Sequence, residues 1–193
     1  AILDPLPFEI KTEIDVNVLK DELLKKSEYI FAENQMKLEY KFHRKVRLAE
    51  VSATYHWLAI TKFGITKDCF SVNQEGDDLI IDVHKVKIFK TINDNVKRVK
   101  YDENWGWSDQ GTTERAFRQD MPFAARDAFY AKFSDSKKQQ IVNYGQESLK
   151  SFVRSFLEDK DINIIVKVSE NFERKGKLSG EPSGYYKDQR RSV

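Results

Sequence analysis

Three carboxylates, one histidine and three lysines crowd the short segment GDDLIIDVHKVKIFK, residues 76–90. A nuclease strand needs an acid and a lysine two residues apart, so that both side chains reach one metal and one scissile phosphate from the same face. Asp82 and Lys85 are three apart and fall on opposite faces of a regular strand. Asp78, Asp82 and His84 do share a face, with Ile80, Val86 and Ile88. Asp82 and His84 are suited to a divalent metal, and with Asp78 they define the enzymatic alternative, a metal-dependent hydrolase. A single Asp-x-His pair is common by chance, so the segment reads first as a structural strand with a solvated polar face.

Other reactive side chains are scattered. His43, His56 and His84 fall on different expected strands. His43 sits among lysines and reads as solvated, whereas His56 beside Trp57 suits either face. Cys69 precedes Phe70 in a strand, where a buried or half-buried thiol is the expectation, because a nucleophile needs an activating base. The chain has no Gly-x-Ser-x-Gly, phosphate loop, dinucleotide fingerprint or Cys-x-x-Cys. In YDENWGWSDQG, residues 101–111, Trp105 and Trp107 flank Gly106 beside turn-forming Asn104 and Asp109. Large rings on a loop are favoured anchors for partners, so these two tryptophans are the candidate binding patch, against the plainer reading that they pin the loop to the core.

Composition narrows the classes. With 193 residues, 40% hydrophobic and 12% aromatic, the chain has enough apolar material for one ring-rich core. The lone Cys69 excludes an internal disulfide and a multi-thiolate zinc site. The net charge of +2 is unevenly placed: residues 173–193 carry six Lys or Arg against three Asp or Glu, which leaves the first 172 residues at −1. That balance weakens a nucleic-acid-binding alternative through the basic stretch Lys85 to Lys100, since duplex affinity rests on clustered phosphate contacts. No run approaches the ~20 apolar residues of a membrane helix, and the chain reads as soluble. The opening AILDPLPFEIKTEID, from Ala1, reads as the interior of something longer, cut downstream of a signal or anchor.

The elements that would position these residues follow from periodicity. FEIKTEIDV predicts a first strand, and Asn17 caps a helix over 17–32 on the spacing of Leu19, Leu23 and Ile30. Met36, Leu38, Tyr40 and Phe42 alternate with polar residues as a half-buried strand. The pattern continues through Val51, Ala53, Tyr55 and Trp57 after a slip of phase at Ala49-Glu50. Phe70 and Val72 predict a strand, Asn73 to Asp77 a hairpin turn, and Leu79 to Phe89 one returning strand. Helices follow: one capped by Thr112 or Thr113, interrupted or restarted at Pro122, and a longer one capped by Ser134 or Ser136. The longer helix carries the stripe Ile141, Gly145, Leu149, Phe152, Val153 and Phe156. INIIVKV predicts a last strand at 162–168, and residues 173–193 a flexible basic tail.

The stretch FGITKDCFSVNQEGDDLIIDVHKVKIFKTINDNVKRVKYDENWG, residues 63–106, resembles the central region of bacterial domain-of-unknown-function family 4230. In that family a G-I-D-L segment leads to a strand, a turn, a strand of the form I-x-I-x-L-P-x-A-x-I-L, and a Y-D-E element before helices. FGITKDCFSV, LIIDVHKVKIF and KYDENWG stand in those places. The chain departs from the pattern at His84, where proline is common, and at Ile65-Thr66-Lys67, where an acid is usual. The resemblance implies an envelope-associated protein with an N-terminal membrane anchor and a soluble, extracytoplasmic domain; it carries over no catalytic residue.

Together these readings predict one α+β domain over residues 1–172, a mainly antiparallel sheet packed against an N-terminal helix and a C-terminal helical region. The expected function is non-catalytic binding or scaffolding, without a cofactor. Its partner would be a protein of the envelope, and its only tie to a membrane a segment outside this chain.

Overall fold

The structure, a computed structural model, describes residues 28–104, 110–157 and 161–191. Two mixed sheets are built mostly from the strands that precede the first helix, and two short strands after the second long helix complete them. The longest hairpin joins β1 (Tyr29–Val46) to β2 (Ala49–Ile65) through a tight turn at Arg47 and Leu48, with Arg47 at a φ of 56°. The register runs from Val46 opposite Ala49 to Tyr29 opposite Ile65. The slip of phase expected at Ala49-Glu50 is therefore this turn, two residues earlier. Along β2, Val51, Ala53, Tyr55, Trp57, Ala59, Thr61 and Phe63 are buried in strict alternation, as period-two patterning requires of a sheet with one covered face.

β2 organises the larger sheet. One edge pairs with β1; the other pairs first with β6 (Ile92–Asn104) and then, at Phe63 and Gly64, with β5 (Val86–Ile88). β8 (Phe172–Arg174) lies parallel to β5. The smaller sheet is β3 (Phe70–Glu75), β4 (Asp78–Val83) and β7 (Asn163–Val168), with β3 antiparallel and β7 parallel to β4. Helix α1 (Gln110–Lys132) lays Phe117 flat on Tyr55, ring centroids 4.0 Å apart, and Phe129 beside Phe63. Helix α2 (Asp135–Phe156) buries Ile141, Val142, Gly145, Leu149 and Val153. Ser134 caps it, its Oγ accepting from the Lys137 N–H at 3.2 Å. Helix α3 (Gly184–Arg191) lies across the outside of α1 and β1, where the Tyr185 hydroxyl donates to the Lys41 carbonyl and the Tyr186 hydroxyl to Asp127.

Several expectations are corrected. The sheets are mixed, not mainly antiparallel, since each contains a parallel pair, β4 with β7 and β5 with β8. The N-terminal helix is not part of the fold as described: Asn17 to Ser27 lie outside the described residues, and Tyr29 to Ala32 are strand, paired with β2. The apolar triplet at Tyr29, Ile30 and Phe31 fits either period, and a partner strand distant in sequence decides it. The single returning strand from Leu79 to Phe89 is two strands, broken at His84 and Lys85 where the chain leaves one sheet for the other. Pro122 neither ends nor starts a helix but sits inside α1. The stretch 173–193, expected as a flexible tail, contains the end of β8 and all of α3. The strand expected at residues 8–16 lies outside the described residues.

Candidate functional site

The residues singled out by type do not converge. Asp78 opens β4 and accepts a hydrogen bond from Asn163 Nδ2 at 3.1 Å across the parallel pair. Asp82 is exposed on β4, in register with Ser71 and Lys167. His84 lies beyond the strand end, its backbone N–H bonded to the Cys69 carbonyl, so the shared-face argument for Asp82 and His84 loses its regular strand. Among the described residues, no three His, Cys, Asp or Glu side chains gather as a metal site. Trp105 and Trp107 lie outside the described residues. His43 and His56 sit on the outer face of the hairpin, bonded to Glu50 and Glu39. Those bonds hold both glutamates below the usual carboxylate range. Cys69 is fully buried, its sulfur 3.3 Å from the Thr66 hydroxyl, as expected of a structural thiol.

The basic stretch from Lys85 divides in two. Lys85 and Lys87 turn toward carboxylates: Asp68 Oδ2 lies 3.0 Å from Lys85, and Glu173 Oε1 lies 3.0 Å from Lys87. The Thr66 hydroxyl and then Lys85 hold Asp68 well below its ordinary range, and Lys87 and then Lys85 do the same for Glu173. These four side chains tie β5 to β8 and to the 3-10 turn at Lys67–Cys69. They are structural cement, with no charge left over.

Lys90, three residues on, has no carboxylate partner among the described residues and faces a cavity of about 200 Å³. The cavity exists because β2 changes partners there. Lys90 and Thr91 bridge the gap between the end of β5 and the start of β6, held to β2 by the Phe89 N–H on the Lys62 carbonyl and by paired hydroxyls of Thr61 and Thr91, 3.0 Å apart. Asn93 of β6 forms one wall; its Oδ1 accepts from Trp57 Nε1 at 3.0 Å, which leaves its amide N–H groups as donors. Pro122 of α1 forms another.

The rim comes from the chain leaving β8. Arg174, Lys175, Gly176, Lys177, Leu178 and Ser179 arch over the junction, anchored by the Lys175 N–H on the Ile88 carbonyl at 2.8 Å. The Arg174 guanidinium lies against the rings of Tyr130 and Phe129, 5.2 and 5.9 Å from their centroids, which fixes its plane. Its Nε is buried with no hydrogen-bond partner among the described residues. A buried donor in that state costs about 1–3 kcal/mol, a penalty the fold carries where the guanidinium packs on the two rings. Lys175 is balanced by Glu28; Lys177, exposed like Lys90, is not. The lining thus brings together four cations, two hydroxyls and an amide, and contains no carboxylate, histidine or thiol.

Periodicity could not reveal this site. Arg174, Lys175 and Lys177 are visible only as part of a charged terminus, and Lys90 only as part of a basic run, because nothing in either segment encodes their meeting. The available signal is compositional: two segments rich in Lys and Arg.

No helix among the described residues is long and apolar enough to cross a membrane. Compared with known proteins, the chain matches no family model, no curated protein and no solved structure.

Proposed function

We propose that the chain is a non-catalytic binding domain, the part outside the membrane of an anchored bacterial envelope protein. The observation that carries the binding reading is the lining of the β5–β6 cavity. It supplies charge and hydrogen-bond donors for an anion, and no carboxylate, histidine or thiol among the residues that line it. Perturbed carboxylates elsewhere have structural partners: Asp68 has Thr66 and Lys85, and Glu173 has Lys87 and Lys85. The envelope setting rests on the resemblance of residues 63–106 to family 4230.

The test is a joint screen for binding and turnover. Small anions are expected to raise the melting temperature saturably, whereas neutral and cationic analogues do not. Incubation with phosphate esters, carboxylic esters and peptides is expected to release no product above the blank. Product formation that depends on the cavity residues would overturn the reading.

A further inference from the structure

We infer that the cavity at the β5–β6 junction receives the phosphate group of a small phosphorylated ligand. This rests on the reading of the domain as one that binds anions without converting them, and three features of the lining select phosphate among anions. The first is charge. Lys90, Arg174 and Lys177 contribute three cations with no carboxylate partner among the described residues, Glu28 having balanced Lys175. A dianion matches that field better than a monoanion does.

The second feature is the number and variety of donors. Lys90 and Lys177 present ammonium groups, Asn93 retains its amide donors, and the hydroxyl of Ser179 rotates to donate. A phosphate offers three peripheral oxygens to satisfy these groups, one more than a carboxylate. The third is size: about 200 Å³ falls below the roughly 300–1,000 Å³ of sites that enclose a drug-sized ligand. The phosphate therefore enters end-on, with the rest of its molecule in solvent.

Calorimetric titration of the chain with inorganic phosphate and with glycerol 3-phosphate tests this. Saturable binding is expected, weakening as NaCl is raised. Lys90→Gln combined with Lys177→Gln is expected to reduce the affinity at least tenfold. Both lysines are exposed and unpaired among the described residues, so this variant keeps the native melting temperature in phosphate-free buffer. Acetate is expected to bind at least tenfold more weakly than phosphate. A second arm identifies the source. Sedimentation with phosphatidylcholine vesicles only when they contain phosphatidic acid, lost in the double variant, assigns the phosphate to a lipid headgroup. Binding of glycerol 3-phosphate without vesicle binding assigns it to a soluble metabolite; either result supports the site.

Absence of saturable phosphate binding overturns the inference, as does an affinity unchanged in the double variant or binding confined to a single-stranded oligonucleotide. Saturable binding of acetate alone, lost in the double variant, overturns the phosphate assignment and leaves the binding-domain reading standing. Release of phosphate from glycerol 3-phosphate, lost in the same variant, upholds the site and overturns the non-catalytic reading.

Discussion

The Tyr40 hydroxyl donates a 2.6 Å hydrogen bond to Asp120 Oδ2, joining residues 80 positions apart on β1 and α1 inside the core. Asp120 is fully buried, and it also accepts from the Ser183 N–H and the Ser183 hydroxyl at the start of α3. One carboxylate thus binds sheet, helix and C-terminal segment together. Ser183 Oγ in turn accepts from the Tyr186 N–H, so the same contact helps to start α3.

Asp120→Ala is expected to destabilise the fold by about 3 kcal/mol, because it strands donors from two directions in a low-dielectric interior. Tyr40→Phe removes one of the bonds and is expected to cost about 1 kcal/mol. Urea denaturation of both single variants and the double variant checks this, with the double costing less than the sum. Limited proteolysis supplies a second reading, since Asp120→Ala should expose the segment around Ser183 to cleavage before the core unfolds.

Two glycines are required by close approach, with different consequences. A Cβ on Gly145 would lie 3.0 Å from Phe31 Cε2, a contact with a ring on β1. Gly145→Ala is expected to destabilise the native chain by about 1 kcal/mol, overriding the ~1 kcal/mol that alanine gains in a helix. In a Phe31→Ala background the obstacle is absent, and the same substitution is expected to stabilise. Thermal melting of the four proteins reveals this reversal of sign. A Cβ on Gly64 would overlap the backbone carbonyl of Tyr29, which no rotamer change relieves. Gly64→Ala should cost more than about 2 kcal/mol in either background.

Acid stability tests the cluster joining β5 and β8. Asp68 and Glu173 ionise below their ordinary range in the folded chain, through Thr66 and Lys85 for the first and Lys87 and Lys85 for the second. A folded-state value below the unfolded one contributes stability that is complete above the unfolded value and lost as pH falls through the folded one. Stability is therefore expected to decline as pH drops below about 4. Asp68→Asn should flatten that decline, and raised NaCl should mimic it in part, because these charges lie near the surface. Denaturant titrations between neutral pH and the acid limb provide the comparison.

At the alkaline end the tyrosines reverse the sign. Burial and then Asp120 push the Tyr40 hydroxyl far above its ordinary value, burial and then Asp127 do the same for Tyr186, and Tyr101 is pushed up to about 12 by desolvation and Glu103. Raised folded-state values contribute stability that is complete below pH 10 and lost as pH climbs through them. Absorbance titration of phenolate should show Tyr40 and Tyr186 ionising only as the fold opens. Tyr101→Phe is expected to remove a component with its midpoint near pH 12.

Much of the fold was legible where one local pattern left no competitor. Met36, Tyr40 and Phe42 are buried on β1 while Lys37, Glu39 and Lys41 are exposed, as alternation required. Ser134 caps α2, and all of the α2 stripe is buried or half-buried except Phe156, at 45% exposure. The failures share a cause. Tyr29 to Ala32 satisfied two periods at once; the break at His84 and Lys85 has no turn chemistry of its own; and Pro122 is a helix breaker by propensity that the packing of Phe117 and Phe129 on β2 nonetheless keeps within one helix. Each was decided by a partner distant in sequence.

The ring-rich α+β character, the faces of β1 and β2 and the buried thiol follow from residue type and local period alone. That Lys90 and the 174–179 arch meet across the gap where β2 changes partners follows from the strand pairing. Charge is a property of residues, but a field without counter-ions is a property of their arrangement. Lys85 and Lys87 found Asp68 and Glu173, and Lys90 and Lys177 did not, through strand pairings that no spacing along the chain encodes.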